Sequence, residues 1–167
     1  MWWSDPAPRR ALLTAAGLLA AGLLAACTFS PVYAPGGAGA ALNGAVTVIP
    51  PEGSAAFVLA RRLEERLGPP VDPAFDLAFR LATDTDRIAI TAAQETNRFN
   101  LIGRADWQLT RDGAIVAEGR AESFTSYSAA GTPVANRAAE RDAEERLMRI
   151  LSDRIMADLV SGAGALP

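Results

Sequence analysis

Apolar and polar residues alternate along three stretches in the central part of the chain, the pattern of strands with one buried face. In the first stretch, Phe75 to Leu81, the apolar residues stand at odd positions. Past Asp86 they stand at even positions, at Ile88 and Ile90. Because a strand cannot change face without an extra residue, either a bulge near Thr83 to Arg87 bends one long strand or a tight hairpin makes two. We favour the bulge.

The alternation is clearest from Phe99 to Leu109, and it resumes from Ile115 to Ser123 after the turn signal Arg111-Asp112-Gly113. These two stretches therefore predict a long β-hairpin. The centre of its apolar face is made of small residues, which leave room for a closely packed helix. These residues are Gly103, Ala105, Ala117, Gly119 and Ala121.

Two registers of this hairpin keep both apolar sets on one face. Setting Arg111 opposite Ile115 brings opposite charges together, whereas a slip of two residues sets Arg104 against Arg120. The turn residues slightly favour the slipped register, but opposite charges stabilise cross-strand pairs. We therefore predict the first register, which joins two charged pairs, Asp106 with Arg120 and Arg104 with Glu122.

The remaining elements are one short strand and two helices. The β-branched run Ala45 to Ile49 predicts the strand. Ser54 then offers an N-cap for a helix whose apolar face extends to Leu67 and which stops at Gly68-Pro69-Pro70. A second amphipathic helix is predicted from about Asn136 to Val160. The order strand, helix, three strands, helix predicts an α+β fold.

The start of the chain has the pattern of a secretory signal peptide. Arg9 and Arg10 precede fourteen apolar and small residues, Ala11 to Leu24, and the chain's only cysteine follows at Cys27. Leu24-Ala25-Ala26-Cys27 resembles the lipobox of bacterial lipoprotein precursors, in which the cysteine is lipidated and becomes the new N-terminus. Fourteen residues are too few for a bilayer core that needs about 20.

These features predict four segments of the chain. Residues 1–26 are expected to be a signal peptide and residues 27–41 a lipidated tether, which contains prolines and a Gly/Ala run. Residues 42–160 are expected to form the folded domain, and residues 161–167 a flexible tail. By resemblance to lipoprotein sorting rules, Thr28 in place of Asp favours the outer membrane.

Composition removes most kinds of catalysis. The sequence contains no His and no Lys, so it has no Ser-His or Cys-His pair, no imidazole metal ligand, no P-loop and no Schiff-base lysine. Removal of residues 1–26 changes the net charge from −3 to −4, because Arg9, Arg10 and Asp5 are lost. This negative charge argues against nucleic acid as a partner.

Carboxylate chemistry is what remains, and Asp84 and Asp86 are its nearest candidates. Asp and Thr clustered between two strand patterns are typical of a turn or bulge, which is how we interpret them. We therefore predict a protein that is not an enzyme and that carries no cofactor and no metal.

Several short motifs, in this order, resemble one family, the lipopolysaccharide-assembly lipoproteins (LptE) in their α-proteobacterial form. The motifs are Cys27, Phe29, Pro31 and Tyr33 at the start, the segment Glu95 to Arg98, the strand end Ser126-Tyr127, and the helix entry Asp142 to Leu147. The resemblance implies a two-layer sandwich, with a mixed four-stranded sheet and two helices on one face.

The resemblance also implies a function. Such proteins assist assembly of the large β-barrel translocon for lipopolysaccharide (LptD), plug it, and help deliver lipopolysaccharide to the outer leaflet. The implied partners are an LptD-like barrel, lipopolysaccharide, and the outer membrane at its periplasmic face. By rough alignment with the family, lipopolysaccharide-binding basic residues fall on Arg98 and Arg137. The alternative is a periplasmic scaffold or binding lipoprotein without a lipopolysaccharide role.

The lipobox yields the first testable prediction. Changing Cys27→Ala should leave an uncleaved or mislocalised precursor, because both lipidation and cleavage need that thiol. Radiolabelled palmitate should enter the unaltered chain and not the variant. Labelling that persists in the variant would show that Cys27 is not the acceptor.

Overall fold

The computed structural model describes residues 37–90 and 96–162. Three helices and four strands follow one another in these residues, and their order confirms the predicted α+β class. The elements are α1 (Ala38–Leu42), β1 (Val46–Ile49), α2 (Ser54–Leu67), β2 (Phe75–Ile90), β3 (Thr96–Arg111), β4 (Ala114–Ser128) and α3 (Pro133–Gly162).

The four strands form one mixed sheet in the order β1-β2-β3-β4. β1 pairs with β2 in parallel, with Val46 opposite Phe75, and α2 provides the crossover that a parallel pair needs. The other two pairings are antiparallel. Since β1 ends opposite Ala78, the rest of β2 has only β3 as a neighbour, and β4 forms the opposite edge.

The core lies between the sheet and the two long helices, α2 and α3, which pack on the same face as predicted. Apolar side chains of the sheet and of both helices meet there with almost no exposure to solvent, as the hydrophobic effect requires. They include Leu59, Leu63, Leu77, Leu109, Leu147 and Leu151. The other face of the sheet carries alternating polar residues and remains uncovered in the described part of the chain.

The predicted choice of a bulge over a hairpin is confirmed for β2. This strand pairs with β3 without a shift from Asp76 to Arg87, and the register shifts between Arg87 and Ala89 and again between Ala89 and Ile90. The extra residue is therefore Ile88, just past the predicted segment Thr83 to Arg87. The parity of the apolar pattern changes at the same place, which is why the pattern detected the bulge.

The turn between β3 and β4 differs from the prediction. Asp112 and Gly113 both have positive φ, 51° and 80°, typical of a two-residue type I′ turn. Such a turn pairs Arg111 with Ala114, so the predicted pairing of Arg111 with Ile115 is wrong.

A bulge at Val116 then restores the predicted register along the rest of the hairpin. The two predicted charged pairs are confirmed. A side-chain nitrogen of Arg104 lies 3.2 Å from a carboxylate oxygen of Glu122, and Nε of Arg120 lies 2.5 Å from Asp106. One extra residue therefore allows the hairpin to have both the tight turn and the complementary charges.

The N-cap of helix α2 lies one residue before the predicted position. Gly53, with φ 115°, occupies the N-cap, and Ser54 is the first helical residue without a capping hydrogen bond from its side chain. The prediction of Ser54 as N-cap is therefore wrong. The predicted end is confirmed, because Gly68 has φ 76° and its N–H donates to the Glu64 carbonyl.

Helix α1 was not predicted from the sequence, because residues up to 41 were assigned to the tether. Ala38–Leu42 forms one helical turn, and Leu42 is buried in the core. A run of Ala and Gly carries no apolar periodicity, so only the burial of Leu42 marks this segment as part of the fold. Residues 27–36 of the predicted tether lie outside the described residues.

Helix α3 begins at Pro133, three residues before the predicted start at Asn136. Thr132 Oγ1 accepts a hydrogen bond of 3.3 Å from the Ala135 N–H, and Pro133 occupies the first helical position, which suits its missing N–H. The helix continues through Gly162, two residues into the predicted tail. None of the helices in residues 37–90 and 96–162 is long and apolar enough to span a membrane.

The small residues on the sheet allow two close approaches. A Cβ on Gly103 would lie 2.9 Å from Leu147 Cδ2 of α3, so the predicted close packing of a helix is confirmed there. A Cβ on Gly119 would lie 2.7 Å from Cζ2 of Trp107. The neighbour of Gly119 is therefore an indole ring on the adjacent strand and not a helix, because a tryptophan on β3 covers the space that the glycine leaves.

These contacts predict the effect of adding one methyl group. Gly103→Ala and Gly119→Ala should each lower the free energy of unfolding by about 1–3 kcal/mol, because buried neighbours must shift. Gly162→Ala is the control, since a Cβ there meets nothing within 4 Å. Urea unfolding measures the change. A midpoint equal to that of the unaltered chain for Gly119→Ala would mean that the Trp107 ring moves freely.

Candidate functional site

The predicted lipopolysaccharide-binding residues lie at one end of the domain, where β3 begins and β4 runs into α3. Arg98 pairs with Ser128, the last residue of β4, and α3 begins after a connection of residues 129–132. Arg137 follows in the second turn of that helix. We call this region, defined by Arg98, Ser128 and Arg137, the β4–α3 end. Both arginine side chains are exposed to solvent.

The two arginines belong to different layers. Arg98 stands at an even position of β3, like Arg104, and these positions project from the uncovered face of the sheet. Arg137 lies on α3, which packs on the opposite face. The structure therefore brings the two residues to the same end of the domain but to opposite sides of the sheet.

Local hydrogen bonds hold the connection that precedes Arg137. Asn136 Oδ1 accepts a hydrogen bond of 3.0 Å from the Gly131 N–H, and the Asn136 N–H donates to the Thr132 carbonyl at 2.9 Å. The first turn of α3 contains no acidic residue. The partial positive charge of the helix N-terminus is therefore uncompensated there, and together with Arg137 it favours an anion.

An aromatic pair lies beside these residues, on the helix-covered face of the strands. The rings of Phe99 and Tyr127 stack with their centroids 5.2 Å apart. Burial raises the pKa of the Tyr127 hydroxyl above its ordinary value, and the nearby Glu140 carboxylate raises this pKa further. The hydroxyl is thus neutral near pH 7, and the β4–α3 end combines apolar rings with guanidinium groups that can bind phosphate through two hydrogen bonds.

The carboxylate candidates do not form a site. Asp84 and Asp86 lie within β2, before its bulge, and not in the turn or bulge that we predicted for them. Both are exposed, and Asp84 Oδ1 accepts a local hydrogen bond of 2.8 Å from the Thr85 N–H. No group of three or more Cys, Asp or Glu side chains in residues 37–90 and 96–162 could hold a metal ion. Cys27, the predicted lipidation site, lies outside the described residues.

A shallow depression of about 770 Å³ on the uncovered face of the sheet was not predicted from the sequence. Its charges are largely paired: the hydrogen bond and charge of Asp106 raise the pKa of the Arg120 guanidinium. The alternating polar residues of the three strands are the signal that could have located it. The polar side chains that line it are those of Arg80, Asp106, Gln108, Glu118 and Arg120.

Several solved structures share this fold, and three of them are bacterial lipoproteins. A lipoprotein from Caulobacter crescentus CB15 is 27% identical, has a TM-score of 0.63, and aligns over 76% of this chain and 96% of its own. Rare lipoprotein B from Shewanella oneidensis is 13% identical with a TM-score of 0.57, over 72% and 96% of the two chains. A minor lipoprotein from Acinetobacter baumannii is 15% identical with a TM-score of 0.57, over 73% and 92%.

These comparisons show that the fold is a two-layer α+β domain. No curated protein sequence matches the chain. The family model LptE, described as lipopolysaccharide-assembly, matches residues 44–159, from just before β1 almost to the end of α3. The chain belongs to the LptE family, which confirms the resemblance seen in the sequence.

Membership gives the function in broad terms. The LptE family consists of non-catalytic lipoproteins, and membership implies a role in lipopolysaccharide assembly.

Proposed function

We propose that this protein is a non-catalytic outer-membrane lipoprotein that assists assembly of the β-barrel lipopolysaccharide translocon and plugs it. In this role it helps deliver lipopolysaccharide to the outer leaflet. The observation that carries the proposal is the family match over residues 44–159, which includes every strand, α2, and α3 except for its last three residues. The barrel partner is an LptD-like protein.

The uncovered face of the sheet supports the plug role. The interior of a large outer-membrane barrel is polar and filled with water. The face carries charges that neutralise each other across the strands, Arg104 with Glu122 and Arg120 with Asp106. These paired charges need no apolar cover, so this part of the face suits a domain enclosed by a polar lumen.

The anchor is the second part of the proposal. Lipidation of Cys27 would hold the domain at the periplasmic face of the outer membrane, with residues 28–36 as the link to the first helix. Each buried methylene of an acyl chain contributes about 0.8 kcal/mol, so the several chains of a bacterial lipoprotein anchor it firmly. Thr28 supports the outer membrane rather than the inner membrane as the destination.

Purification from membranes under mild detergent tests the plug role. The full-length chain should co-purify with one large β-barrel protein in a stoichiometric ratio, because a plug is enclosed by its partner. An unrelated outer-membrane lipoprotein carrying the same affinity tag is the control. Absence of the barrel after careful solubilisation would favour the alternative, a periplasmic scaffold or binding lipoprotein without a lipopolysaccharide role.

Arg98 and Arg137 are proposed to meet the lipid A phosphates of lipopolysaccharide. Both are exposed, and neither forms an ion pair with another described residue. Their guanidinium groups are therefore available to donate hydrogen bonds to an anion at the β4–α3 end. Because the domain as a whole is negatively charged, such a site must be local.

Charge reversal tests this site. Arg98→Glu with Arg137→Glu should weaken binding of purified lipopolysaccharide by at least about tenfold, since a hydrogen bond to a charged group contributes about 1.5 kcal/mol or more. The matched control is Arg80→Glu with Arg149→Glu, which changes the same charge on the same face of the sheet and on the same helix.

The circular dichroism spectrum should be unchanged in both double variants, and the Arg98/Arg137 variant should still co-purify with the barrel. Equal binding by the unaltered chain and the Arg98/Arg137 variant would remove these residues from the site. If the control variant binds lipopolysaccharide equally weakly, the change in net charge alone explains the loss of binding.

A further inference from the structure

Strand β4 is an edge of the sheet and is long for an edge strand. It spans fifteen residues, Ala114–Ser128, and among the described strands it pairs only with β3. An exposed edge presents a row of unpaired N–H and C=O groups that can pair with a strand from another chain. Folded proteins therefore block such edges with bulges, charges or prolines.

Two arginines of α3 bind the backbone of this edge. Arg146 Nη2 donates to the Ser126 carbonyl at 3.2 Å, and Arg154 Nη1 donates to the Glu122 carbonyl. These carbonyls therefore point away from β3. Because backbone groups of alternate residues face the same side of an antiparallel strand, the N–H and C=O of Phe124 also point outward between them.

The helix and the strand match in spacing. Eight residues of helix separate the two arginines, about 12 Å at the helical rise, and four residues of strand separate the two carbonyls, about 13 Å. The elements run in opposite directions, so the earlier arginine meets the later carbonyl. Asp142 also forms an ion pair with Arg146 and thereby holds its side chain in place.

The opposite edge of the sheet is protected from strand addition by other features. β1 has only four residues and is followed by Pro50 and Pro51. Beyond it, β2 carries Asp84 and Asp86 and contains the bulge at Ile88. Short strands, prolines, charges and bulges all hinder strand addition. β4 combines greater length with carbonyls that arginines cover.

We propose that Arg146 and Arg154 close the β4 edge to strand addition, and that without them this edge pairs with β4 of a second copy. Two identical edges can pair in antiparallel fashion about a two-fold axis, so the surface is complementary to itself. Phe124 supports this partner, because its side chain is 61% exposed next to the edge and would meet its counterpart near the axis.

The test compares oligomeric states of the full-length chain in mild detergent. Arg146→Met with Arg154→Met keeps an unbranched apolar stem but removes both donors. Sedimentation velocity should give the mass of two chains for this variant and of one chain for the unaltered protein. Hydrogen exchange should slow at residues 122–126 in the paired form, because their outward N–H groups become bonded.

The matched control is Arg141→Met with Arg149→Met, which removes the same two charges from exposed positions of the same helix. It should remain a single chain. Adding Phe124→Pro to the paired variant should return it to a single chain, because proline removes the outward N–H without removing a bond to β3.

The proposal is overturned if the Arg146/Arg154 variant stays a single chain, if the control pairs equally, or if pairing persists with Phe124→Pro. Circular dichroism establishes that each variant is folded. Should the double variant fail to fold, Arg154→Met alone carries the same expectation with a smaller shift in mass. A folded single variant with no shift at any concentration then overturns the proposal.

Discussion

The close approach of α3 to the sheet at Gly103 is the contact on which most of this structure depends. Leu147 and Leu151 of the helix occupy the space where a side chain on that residue would lie. One helical turn before Leu147, a buried hydrogen bond of 2.9 Å from Thr125 Oγ1 to the Ala143 carbonyl joins the helix to β4. Because interiors are close-packed, this position leaves the helix little freedom to slide or rotate.

The functional features of the domain follow from the position of that helix. Its first turns carry Arg137 at the β4–α3 end, and its middle turns bring Arg146 and Arg154 to the outer edge of β4. One face of α3 thus forms part of the core. Residues at its start are exposed to solvent, and residues on its side contact the edge of β4.

The sheet shows how one chain meets two demands that conflict. In the β3–β4 hairpin, the Asp112-Gly113 pair requires a tight turn, whereas the charges of the strands require a register one residue different. The bulge at Val116 accommodates both. In β2, the bulge at Ile88 follows the change of apolar parity. Both bulges are local additions of one residue, which change the face of a strand at little cost to the rest of the sheet.

The sequence by itself determined the elements whose physics is local. Period-2 alternation located the hairpin and the need for an extra residue in β2, charge complementarity selected the register of the long strands, and the succession of short motifs identified the family. Gly68 marked the end of α2 because its positive φ suits glycine. The absence of His and Lys excluded most catalytic machinery without any knowledge of the fold.

Only the tertiary structure decided the features that depend on distant partners. The ring over Gly119 comes from a neighbouring strand, and helix α1 is marked by the burial of Leu42 rather than by any periodicity. Arg98 and Arg137 were chosen by family resemblance, and their placement at one end but on opposite layers follows from the path of the chain. The arginine contacts to β4 could not be predicted from the sequence. The pattern of residues around a surface arginine is the same whether its side chain contacts water or the edge of a strand.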